Sequence, residues 1–125
     1  MEKKESTELI HKVERLLAEE LMAYMKKEGV TLHWNDTTQH LVEAIHYLYI
    51  SELMREDNGL LMTKKRIADM VFARFHVAKP CNLSTYLSRV RNIKGKKSVT
   101  LLSQNVSKMQ RFSMYEGIAR YVDAS

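Results

Sequence analysis

Four side chains between Thr85 and Asn92 have the types and spacing needed to read base edges. Thr85, Ser88, Arg89 and Asn92 stand at i, i+3, i+4 and i+7, so on a helix they share one face. The chemistry of such a face is recognition. A guanidinium forks onto the two acceptors of guanine, a carboxamide pairs with adenine, and hydroxyls bond to bases or phosphates. Arg91, Lys94, Lys96 and Lys97 surround that face and are cations of the kind that neutralise a phosphate backbone. A second basic run, Lys64-Lys65-Arg66, lies where a helix would begin. There cations oppose the helix dipole, and a phosphate would relieve them; a solvated surface run is the alternative.

Charge distribution supports the same reading. Residues 1–36 hold eight acids and six bases, and residues 37–69 hold five acids and four bases. Residues 70–115 hold nine bases and no acid, and residues 116–125 hold two acids and one base. The net charge of +5 therefore comes from one stretch, the electrostatic footprint of a surface facing a polyanion. Double-stranded DNA is the partner expected. RNA fits less well, because Tyr86 is the main aromatic beside the basic stretch available for base stacking.

Other chemistry finds little organisation. The five histidines lack the i, i+4 spacing or cysteine companions of a metal site, and Cys81 has no second cysteine to pair with. No phosphate-binding glycine loop, nucleophile elbow or metal motif occurs. The expectation is a non-enzyme that needs no cofactor and no metal. The lone cysteine, a mixed-charge N-terminus with no apolar signal core, and the lack of any membrane-length apolar run make the cytoplasm the expected location.

The elements that would position the polar face follow from periodicity. Leu9, Ile10, Val13, Leu16, Leu17, Leu21 and Met25 predict a first helix over residues 7–27, closed by Gly29. Its wide stripe either packs on the core of its own domain or makes a homodimer through residues 7–27. Val30 to Trp34 predicts a short strand. Asn35, Asp36 or Thr37 caps a second helix carrying Leu41, Val42, Ile45, Leu48, Tyr49 and Leu53. Leu60-Leu61-Met62 predicts a brief strand, and Thr63 caps a third helix with Ile67, Val71 and Phe75 at its core face. Asn82 or Ser84 caps a fourth helix to about Ile93, and Ser98 or Thr100 caps a fifth with Leu101, Leu102, Val106 and Met109. The stretch from Phe112 onward is weakly patterned.

The fold class is thus mainly α, with about five helices and one or two very short strands. Its third and fourth helices form a helix-turn-helix or winged-helix-like unit. The link from Phe75 to Asn82 exceeds the usual short turn and points to an extended variant. Residues 1–29 read as an N-terminal packing or dimerisation arm and residues 30–125 as the DNA-binding domain. A non-catalytic protein-interaction module using the N-terminal amphipathic helix is the alternative.

The segment from Leu32 to about Met109 resembles the C-terminal region of the RteC family, regulators of tetracycline-induced excision in conjugative mobile elements. The likeness runs through Leu32-His33-Trp34, Leu41-Val42-Glu43 with Ile45 and Leu48-Tyr49, then Phe75. It continues in Tyr86-Leu87 with Val90-Arg91, and in the basic loop before Leu101-Leu102. The resemblance implies a winged-helix-like DNA-binding module, a recognition role for the helix near residues 84–93, and a transcriptional regulator of a mobile genetic element.

Overall fold

The computed structural model describes residues 3–91 and 100–125, and within them all side chains except those of residues 3–6, 87 and 89–91. Among the described residues there are five α-helices and a two-stranded antiparallel sheet. They are α1 (Lys3–Lys26), β1 (Leu32–Trp34), α2 (Thr38–Ile50), α3 (Lys64–Arg74), α4 (Leu83–Arg91), α5 (Leu101–Phe112) and β2 (Val122–Ala124). A short 3-10 turn, Ala119–Tyr121, leads into β2.

The middle helix, α2, is the hub, with α1, α3, α4 and α5 all lying against it. Its sequence explains why. Leu41, Val42, Ala44, Ile45 and Leu48 are wholly buried, so α2 is apolar almost all round, as a helix enclosed by others must be. The stripe of α1 turns inward, where Val13, Leu17, Ala18 and Leu21 are wholly buried in the shared core. Ile67, Val71, Phe72 and Phe75 bring in α3. Each of the larger side chains, Val, Leu, Ile or Phe, contributes roughly 1.5–3 kcal/mol on burial.

Threonine hydroxyls start three of the helices. Thr37 accepts from His40 N, Thr63 from Arg66 N, and Thr100 from Ser103 N, with Ser103 returning a bond to Thr100 N. Each satisfies an amide that a helix N-terminus leaves open. Gly29 takes a left-handed backbone (φ 77°) after α1, which glycine adopts without steric cost.

One buried polar contact locks α5 onto α2. Glu43, 1% exposed, accepts from Leu101 N at 2.9 Å, Leu102 N at 3.0 Å and the Tyr47 hydroxyl at 2.5 Å. A carboxylate facing the positive end of a helix is favourably placed. Burial, then the Glu43 carboxylate, pushes the Tyr47 hydroxyl well above its usual value.

The C-terminal segment is tied back in the same manner. Glu20 of α1 accepts from Tyr115 Oη at 2.7 Å and Ile118 N at 3.0 Å, while Asn105 accepts from Gly117 N at 2.7 Å. Gly117 has φ 68°, and a Cβ there would stand 2.0 Å from Glu20 Oε1. These bonds carry the chain to β2, which pairs with β1 in the register Leu32↔Ala124, His33↔Asp123 and Trp34↔Val122. The weakly patterned tail therefore contains the second strand. Leu60–Met62 forms no strand: the local pairing is one bridge, Arg55↔Leu61, and Leu60 and Leu61 face solvent.

Glu43→Gln should lower unfolding free energy by about 1.5–3 kcal/mol, because one accepting oxygen becomes a donor against the groups it now satisfies. Glu43→Ala should cost more through the added cavity. Urea denaturation checks both. Burial and Glu20 also hold the Tyr115 hydroxyl above its usual range. Unfolded tyrosines ionise near about pH 10, so the stability conferred by Tyr47 and Tyr115 is complete below about that pH and lost above it. The urea midpoint should fall more steeply above about pH 10 in the parent than in the Tyr47→Phe/Tyr115→Phe variant.

Candidate nucleic-acid interface

Helix α3 ends in a way that fixes the path into α4. His76 N donates to Ala73 O at 3.3 Å and Val77 N to Phe72 O at 2.9 Å, the two bonds of a Schellman motif. The left-handed position, usually glycine, is His76 (φ 57°). Its ring compensates, since Nδ1 donates to Leu32 O at 2.8 Å, tying the turn to β1. The long link is therefore ordered by capping. Lys79 then reaches back to Asp69 Oδ1 of α3 at 2.5 Å.

Against α2, α4 packs through the half-buried Leu83 and Tyr86. Gln39 Nε2 of α2 donates to Tyr86 O at 3.2 Å. That carbonyl sits in the interior of α4, so the bond sets the rotation of α4 as well as its distance. Gln39 Oε1 is buried and has no hydrogen-bond partner.

With α4 so held, Ser84, Thr85 and Ser88 are exposed, and Thr85 and Ser88 share the outward face that their spacing predicts. Arg89 and Arg91 lie on the α4 backbone with side chains outside the described set, and Asn92, Lys94, Lys96 and Lys97 lie outside the described residues. The beginnings of α3 and α4 come together. Lys64, Lys65, Lys79, Pro80, Cys81, Leu83 and Ser84 line a shallow groove of about 340 Å³.

The three basic residues of the Lys64 run differ in setting. Lys64 Nζ donates to His46 Nδ1 at 2.9 Å and stands 5.1 Å from the Tyr49 ring centre; an ammonium has only donors, so this contact uses a neutral imidazole nitrogen. Arg66 pairs with Glu56 and so points toward the 55–61 turn, whereas Lys65 is exposed. Asp69 places a carboxylate on this surface. The Lys79 hydrogen bond, aided by Lys79, Lys65 and Arg66 charge, holds its carboxyl below the usual value. Lys65, Lys79 and Ser84 are thus gathered with Lys64, while Arg66 is drawn aside. Sequence patterning counts Lys79 among the bases of the acid-free stretch and offers Ser84 as a helix cap, but does not single out Gln39, whose role depends on contact across 47 residues.

Among the described residues no group of three or more His, Cys, Asp or Glu side chains could hold a metal ion, and no helix is long and apolar enough to cross a membrane. No family model, curated protein or solved structure matches the chain.

Gln39→Ala should remove the bond that orients α4 at a cost of about 1 kcal/mol. Amide exchange should speed up in α4 and stay unchanged in α3. Equal acceleration in both helices would assign Gln39 a general packing role.

Proposed function

We propose that this chain is a DNA-binding regulator that reads the major groove of duplex DNA with α4, in a helix-turn-helix arrangement with α3. The observation carrying the proposal is that α4 turns Thr85 and Ser88 to solvent while its start shares a groove with the start of α3 and with Lys64, Lys65 and Lys79. Helix N-termini offer open amides and positive dipole ends, both of which favour a backbone phosphate. The acid-free stretch from residue 70 to residue 115 supplies the wider field that draws in a polyanion.

Roles divide by chemistry. Arg89 and Asn92 read bases, assisted by Thr85 and Ser88, and Lys64, Lys65, Arg91, Lys94, Lys96 and Lys97 anchor phosphates. Arg66 contributes only after leaving Glu56. The RteC likeness supports the same reading and suggests a mobile genetic element as the setting.

Fluorescence anisotropy on a selected duplex and on random duplex tests this division. Arg89→Ala should cost about 1–3 kcal/mol on the selected duplex and relax preference at one base pair. Lys65→Ala should weaken both duplexes alike and reduce the salt slope by about one unit. Equal losses from both substitutions on both duplexes would reduce the activity to nonspecific binding, and absence of binding at low salt would overturn the proposal.

A further inference from the structure

Outside the basic surface, large apolar side chains are exposed at the end of α2 and in the turn before α3. Tyr49 is 42% exposed, Ile50 45%, Leu61 48% and Leu60 66%. Tyr49, Ile50 and Leu61 line one groove of about 440 Å³ between the end of α2 and the turn before α3, floored by the buried Met54 and Met62. Packing inside the chain does not require these residues to be apolar. A contiguous apolar patch with a polar rim is the usual form of a protein-binding surface.

The rim identifies the partner. Glu52 and Lys64, one charge of each sign, stand on the same groove. The adjoining surface is also of mixed sign, with Glu56 and Asp57 set among Lys26, Arg55 and Arg66. An acidic or a basic partner would gain from one half of such a rim and lose on the other. A second copy related by a two-fold axis can use both signs, because in an isologous interface Glu52 facing Lys64 of the other copy is matched by Lys64 facing its Glu52. The N-terminal helix is a poorer choice, since Val13, Leu17 and Leu21 are in the core. Between residues 7 and 27 the one exposed large apolar residue is Ile10.

We infer that the chain self-associates as a two-fold dimer through the groove formed by Tyr49, Ile50 and Leu61, with Glu52 of each copy facing Lys64 of the other. Lys64 also borders the groove at the starts of α3 and α4, so the dimer would place two such grooves beside the same interface.

Sedimentation velocity of the full chain without DNA, over a concentration series, tests the inference independently of the DNA reading. The expected mass is twice the 14.6 kDa of one chain. Ile50→Asp and Leu61→Asp alter exposed side chains, so each should halve the mass while circular dichroism stays that of the parent. Glu52→Lys and Lys64→Glu should each weaken association, and the double exchange should restore it. A single-chain mass at every concentration, a dimer that survives both aspartate substitutions, a dimer split only by Ile10→Asp, or a double exchange that fails to restore association would each overturn it.

Discussion

A carboxylate in the middle of a helical core is costly unless its lone pairs are occupied, and Glu43 occupies them with the opening amides of α5 and with Tyr47. Much of the C-terminal part of the fold depends on that arrangement. The contact fixes where α5 begins; α5 supplies Asn105, which receives the Gly117 amide. The chain then returns through Glu20 to lay β2 on β1. At its opposite end α5 is closed by Ser113 in a left-handed turn, with Phe112 68% exposed.

On the other side of α2 the proposed interface is held by smaller devices acting together. The α3 cap through His76 and the Gln39 tether each contribute on the order of 1 kcal/mol, and the solvent-screened Lys79 and Asp69 pair adds direction more than stability. Their joint effect is geometric. They bring two helix starts and three lysines to one groove and turn the hydroxyls of α4 outward. None sits deep in the core, which suits a surface that must adjust to a nucleic-acid backbone.

Much of this was legible in the sequence, because the signals were local. The caps at Thr37, Thr63 and Thr100, the left-handed Gly29, and the core faces of α1 and α3 depend on neighbours within a turn or two of helix. The failures were of long range. A three-residue strand at 122–124 has no alternation to display, and its partner lies some 90 residues earlier. Leu60-Leu61-Met62 read as a strand because it is apolar, yet its exposed leucines serve no core. Glu43 had a visible signal in a lone acid interrupting an otherwise apolar run, but its partners on α5 could not be inferred from spacing. On α4 the outward placement of Thr85 and Ser88 follows their spacing, whereas the contribution of Lys79 required the folded link.

In the proposed function α3, α4 and the link between them meet DNA, and the groove at the end of α2 touches that surface only through Lys64. Backbone amide exchange of the full chain, measured with and without a saturating duplex, addresses that assignment directly. Protection should appear over residues 64–66 and 79–91, with little change over residues 52–62. Protection centred on residues 52–62, or on the outer face of α1, with none at the starts of α3 and α4, would contradict it.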